Sequence, residues 1–134
     1  MSDSAVETVA RFWQLMASND FSAVGAVLAD SFVLEWPQSG ERIRGRDNFA
    51  GVNREYPAHG RWQFTVRRLF GEAGRVGEVV SEVEVSDGVQ HARALSFFTV
   101  EHGRIVYMRE FWPEDYPAPE NRAHWVEAYD DTAG

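Results

Sequence analysis

The stretch Gly103-Arg104-Ile105-Val106-Tyr107-Met108-Arg109-Glu110-Phe111-Trp112-Pro113 decides how this chain is read. It leaves a His102-Gly103 turn, runs as an apolar extended segment and stops at a proline. Alternate residues of a strand share a face, so Val106, Met108, Glu110 and Trp112 point one way and Ile105, Tyr107, Arg109 and Phe111 the other. The first face sets a carboxylate between a thioether and an indole. An unpaired buried carboxylate is costly, so Glu110 is solvated, paired or neutral, and neutrality raises its pKa into a range useful for acid/base chemistry. Two readings stay open: a strand position salt-bridged to Arg93 or Arg68, or a functional carboxylate in a pocket.

Strand patterns extend back from this segment. Arg61 to Phe70, Arg75 to Val85 and Val89 to Val100 are separated by Gly71-Glu72-Ala73-Gly74 and by the Asp87-Gly88 hairpin signal, which predicts an antiparallel meander. The amino-terminal half is helical. Ser4-Ala5-Val6-Glu7 reads as a capping box, and Val6, Val9, Ala10, Trp13 and Ala17 follow at helical spacing to about Ser18. Asp20 is expected to cap a second short helix with Phe21, Val24, Val27 and Leu28 buried and Asp30-Ser31 closing it. A strand from Ser31 to Trp36, the turn Pro37 to Gly40, an extended Glu41 to Arg44 and a helix capped by Asp47 and ended by Pro57 complete this half. Helices followed by antiparallel strands give an α+β class: N-terminal helices packed in a curved sheet that forms a cone-shaped barrel with an open mouth. One domain over residues 1–134 is expected, with 113–134 as a tail or short helix. Val79, Ser81, Val83 and Val85, with Leu95, Phe97, Ile105, Tyr107 and Phe111, are expected to make the outer sheet face apolar enough for a homodimer.

Composition removes several function classes. The net charge of −8 argues against nucleic acid, whose binding needs a basic surface. All 13 basic residues are Arg, which excludes lysine Schiff-base chemistry, and the lack of Cys excludes thiolate nucleophiles and thiolate zinc sites. No cofactor and no metal site are expected, because the four His are too scattered for ligand spacing. The start Met1-Ser2-Asp3-Ser4 has no signal-peptide character and no apolar run is long enough to span a bilayer, so no membrane partner and a cytoplasmic location are expected. Five Trp and nine Phe in so short a chain predict an aromatic interior.

The order of elements and the strand Gly103 to Trp112 resemble the nuclear transport factor 2-like superfamily, and within it the SnoaL-like group. The likeness covers nearly the whole chain, and Trp36 to Gly45, Tyr56-Pro57 and Trp112 to Pro119 look like the signature of an uncharacterised branch. The superfamily includes ketosteroid isomerases, polyketide cyclases, limonene epoxide hydrolases, scytalone dehydratases and non-catalytic domains, so the resemblance implies the fold and leaves the reaction open. Similarity to the epoxide hydrolases at Arg109-Glu110-Phe111 gives Glu110 the place of one catalytic carboxylate. Their second falls at or near Glu82, while Val80 stands where they carry an Arg. Trp36, before Pro37, occupies the position of the isomerase base, and Ser96 that of the cyclase acid.

The candidate catalytic pair is therefore Glu110 with Glu82, two carboxylates whose repulsion in one pocket would leave one protonated and one ionised. The competing reading makes Glu78, Glu82 and Glu84 a solvated strand face. Trp13, Trp36, Tyr56, Trp62, Phe64, Ser96, Phe98 and Trp112 are the expected lining for a small hydrophobic molecule, the aromatic members being equally core candidates. His59, His91 and His102 read as surface residues, while His124, in a helix over Glu120 to Tyr129, either swings over the mouth or is held by packing of Trp125. The expectation is a cofactor-free acid/base enzyme of isomerase, cyclase, dehydratase or hydrolase type. The alternatives are a binding domain using the same cone, or a dimerisation module with the cone filled.

Overall fold

The computed structural model describes residues 4–131. The first helix, α1, covers Ala5–Ala17 and starts as the capping box requires. The Ser4 hydroxyl accepts from Glu7 N at 3.1 Å, and the Glu7 carboxylate accepts from Ser4 N at 3.0 Å. Its stripe of Ala5, Val9, Phe12, Trp13 and Met16 is buried. Beyond it Asn19 adopts a left-handed φ of 61° and brackets Trp62, accepting from that residue's N–H and donating to its carbonyl, both at 2.8 Å.

The expected second helix is a single 3-10 segment, Ala23–Val27, and Asp20 gives it no side-chain cap. Strand β1 follows at once as Leu28–Trp36, so Asp30 and Ser31 lie within the strand and do not close a helix. The Leu28 and Phe32 side chains are fully buried from this strand. Strand β2 is Glu41–Arg44, and helix α2 is Arg46–Glu55. Gly45, with φ 83°, holds the cap position expected of Asp47, which falls in the first turn, where a carboxylate suits the helix dipole. Four long strands complete the chain: β3 (Gln63–Gly71), β4 (Gly77–Ser86), β5 (His91–Glu101) and β6 (Arg104–Phe111).

The sheet order is β2-β1-β6-β5-β4-β3. The meander of β3 to β6 is antiparallel, and β6 closes beside β1 in a parallel pair. Thus the chain leaves β2, crosses by α2 to the far edge and returns strand by strand, enclosing α1 in a curved, unclosed α+β sheet. Bulges tighten the curvature. One in β6 leaves Val106 unpaired between Tyr107, opposite Thr99, and Ile105, opposite Val100. Ile105 is thereby turned to the inner face, against the strict alternation expected of this strand, and is fully buried.

The β4 faces are also opposite to expectation. Val79, Ser81, Val83 and Val85 are buried against the helices, while Glu78, Val80, Glu82 and Glu84 occupy the outer face. Both faces of β4 carry valines, but only the odd-numbered one meets α1. Of the residues expected outside, Leu95, Phe97, Tyr107 and Phe111 are there; Val79, Ser81, Val83, Val85 and Ile105 are core. The inner core centres on Phe12, Phe98 and Phe49, with Phe12 and Phe98 in edge contact at 5.5 Å. Each such buried ring contributes about 2–3 kcal/mol of transfer free energy.

In the tail beyond β6, Glu120–Arg122 forms a 3-10 turn in place of a helix over Glu120 to Tyr129. Arg93 on β5 holds it through Asp115 and Asp131. Trp125 is 78% exposed, with its ring 4.9 Å from that of His124 in the same segment, so it is not the residue that packs this segment onto the domain.

Candidate active site

Ser81 on β4, Ser96 on β5 and Glu110 on β6 are register partners on the inner face. Glu110 is buried at 4% exposure, and its carboxylate is held from two sides. Trp36 Nε1, from the end of β1, donates to Oε1 at 3.0 Å, and the Ser96 hydroxyl donates to Oε2 at 2.7 Å. Among the described residues no arginine pairs with it: Arg68 pairs with Glu82 and Arg93 with the tail. Burial drives the Glu110 pKa above the ordinary value of 4.5, opposed by the donors Trp36, Ser96 and Trp112, which favour the anion. The indole of Trp36 can only donate, whereas the Ser96 hydroxyl can reverse and accept. Both protonation states of Glu110 are thus accommodated, which is what a group that gains and loses a proton requires.

Glu110 faces a cavity of about 440 Å³ between α1, α2 and the inner sheet face. Six expected ligand contacts line it: Trp13, Trp36, Tyr56, Trp62, Phe64 and Trp112. Two do not. Phe98 is 1% exposed and packs behind the wall against Phe12 and Trp13. Ser96 is fully buried and reaches the cavity only through Glu110. Trp13 is fixed by an indole hydrogen bond of 3.1 Å to Ser81.

Glu82 is not at this site. Its register partners are Leu95 and Arg68, both on the outer face, and its carboxylate lies 3.1 Å from the Arg68 guanidinium. Register partners share a face and successive residues do not, so a strand that turns Ser81 inward must turn Glu82 outward. The expected pair of carboxylates does not form.

Several residues of the site escaped sequence reading. Glu41, Glu114 and Asn53 join the lining, as does His91, expected only as a surface residue. The main omission is Asp87, read only as half of a hairpin turn. Its side chain is fully buried and accepts from the N–H groups of His59 at 2.8 Å, Val89 at 2.9 Å and Gln90 at 2.6 Å. These bonds hold its pKa well below the ordinary 3.8 and fasten the segment after α2 to the β4–β5 hairpin, next to the cavity residues Tyr56 and Gln90. A carboxylate before a hairpin glycine signals an Asx turn, but a partner 28 residues away leaves no local trace. His124 does not line the cavity; its ring lies 4.9 Å from Trp125. Among the described residues no group of three or more His, Asp or Glu is placed to hold a metal, and no helix is long and apolar enough to cross a membrane.

The sequence model of the SnoaL-like domain matches residues 9–108, and the chain belongs to that family. The fold is that of the nuclear transport factor 2-like proteins. A Kribbella flavida protein provisionally named a ketosteroid isomerase is 30% identical, with a TM-score of 0.83 over 97% of this chain and 94% of that one. A Burkholderia xenovorans protein of this fold, of unknown function, is also 30% identical, with a TM-score of 0.73 over 92% and 94% of the two chains. An epoxide hydrolase of M. tuberculosis shares the fold at 24% identity and a TM-score of 0.62, over 81% and 82%. No curated protein matches the sequence.

Proposed function

We propose that the chain binds a small hydrophobic molecule in the aromatic cavity and moves a proton on it, with Glu110 as the single acid/base group. The observation that carries this reading is the placement of Glu110: a buried carboxyl in the cavity wall, raised in pKa by burial and braced by Trp36 and Ser96. One carboxyl that takes and returns a proton suits isomerase, cyclase or dehydratase chemistry. Hydrolysis by two carboxylates is not favoured, because Glu82 lies on the outer face. The test begins with extraction and mass identification of molecules that copurify with the protein. Turnover of that molecule or its close analogues by Glu110→Gln is expected to fall by about 10²-fold or more with binding retained. Unchanged turnover would remove the acid/base role.

A second reading, a non-catalytic binding domain, is supported by the same bonds, since both Glu110 oxygens already receive protein donors. Binding with no turnover in the wild-type protein would favour it.

We also propose a homodimer through the outer sheet face. Phe70, Val80, Leu95, Phe97 and Phe111 form its apolar part, with Phe97 and Phe111 in edge contact at 6.2 Å. Around them stand Arg67, Arg68 and Arg109 with Glu35, Glu82 and Glu84. A two-fold interface must complement itself, and a patch carrying both signs around an apolar centre does so.

A further inference from the structure

Much of the cavity wall's hydrogen-bonding capacity is spent on the protein itself, the Trp62 indole, the Tyr56 hydroxyl and the His91 ring being the donors left over. The indoles of Trp13 and Trp36 are engaged by Ser81 and Glu110, and the side-chain amides of Gln38, Asn53 and Gln90 by Trp112 O, Phe49 O and Asp87. None of the described lining residues is an arginine, although the chain has 13. The ionisable lining groups are instead the carboxylates of Glu41, Glu110 and Glu114, with His91 and Tyr56. The rest of the wall is largely π surface. Such a cavity offers little to a carboxylate or phosphate, which needs donors and positive charge. It fits a ligand that brings its own positive charge, because aromatic faces and carboxylates both attract cations and do so more strongly away from water.

Resting on the reading of this cavity as a small-molecule site, we propose that its ligand is an organic cation: an ammonium group on an apolar body, with the charge placed against Glu110 and the surrounding indoles. The apolar body fills the aromatic part of the cavity. The acidic mouth residues Glu41 and Glu114, with the net charge of −8, favour entry of cations over anions.

The test compares two probes of nearly equal shape, phenyltrimethylammonium and its uncharged analogue tert-butylbenzene, by tryptophan fluorescence and calorimetry on the wild-type protein. The cation is expected to bind about 10-fold tighter or more. That preference should shrink to about 3-fold or less in Glu110→Gln, and part of it should be lost in the Glu41→Gln, Glu114→Gln double variant, whose changes lie at the mouth. Equal binding, or tighter binding of tert-butylbenzene, overturns the cation assignment and leaves the cavity reading standing. Failure of both probes to bind overturns both. The wild-type comparison decides the matter even where a variant does not fold.

Discussion

Trp36 Nε1 lies 3.0 Å from Glu110 Oε1, joining residues 74 apart in the chain. The bond spans the parallel β1–β6 pair, where the two halves of the sheet meet. It holds the buried carboxylate of Glu110 on the inner face beside the cavity, in a position that neither strand could fix alone.

Replacing that indole tests the bond directly. Trp36→Phe keeps a ring and removes the donor, so the anionic form of Glu110 loses its partner at Oε1. A hydrogen bond to a charged group contributes roughly 1.5–3 kcal/mol, and stability at neutral pH is expected to fall by an amount in that range. The carboxyl of Glu110, followed by infrared or carbon NMR titration, should move to a higher pKa than in the wild-type protein. An unmoved titration would show that the indole does not support the anion.

Glu110 itself makes stability depend on pH. Its folded pKa is raised, so the native state holds the proton more tightly than the unfolded chain does. The stability this gives is present in full below the ordinary value of 4.5 and is lost as pH rises through the folded pKa. Glu110→Gln lacks this titration. The melting temperature of the wild-type protein relative to the variant should therefore decline between pH 4.5 and neutrality, and a constant difference would contradict the raised pKa.

Asp87 has the opposite sign. Its folded pKa is lowered, so its contribution is present above 3.8 and is lost as pH falls further. Asp87→Asn is expected to melt several degrees lower at neutral pH and to show a weaker acid destabilisation than the wild-type protein. Amide exchange should quicken at His59, Val89 and Gln90, whose N–H groups the carboxylate accepts. Unchanged exchange there would show that Asp87 does not fasten the segment.

The outer face is tested at Phe97, which is 45% exposed in the single chain. Phe97→Glu places a charge at the apolar centre of the proposed interface, where two-fold symmetry brings two such charges together. Sedimentation is expected to show a dimer for the wild-type protein and a monomer for the variant, with the melting temperature of the isolated domain little changed. A wild-type monomer at micromolar concentration would remove the interface.

Local sequence alone specifies α1, α2, the six strands and the alternation within them away from the bulges, but neither the helical form of Ala23–Val27 nor that of the tail. The capping box at Ser4, the breaks at Pro57 and Pro113, and the hairpin glycines Gly88 and Gly103 are local chemistry, and each acts where it was read. The resemblance to the SnoaL-like group is likewise carried by the order of elements and by local runs, Gly103 to Trp112, Trp36 to Gly45, Tyr56-Pro57 and Trp112 to Pro119. Alternation also put Glu82 and Ser81 on opposite faces, but it does not say which face meets the helices. That depends on where α1 lies and on the register of three strands, quantities summed over contacts far apart in the chain. Tertiary structure therefore decided that Ser81, Ser96 and Glu110 share the inner face, that the Val106 bulge turns Ile105 inward, and that Glu82 pairs with Arg68 outside. Trp36 and Ser96, which stand at the positions of the isomerase base and the cyclase acid, are the groups that brace Glu110, because packing brings their donors to its two oxygens.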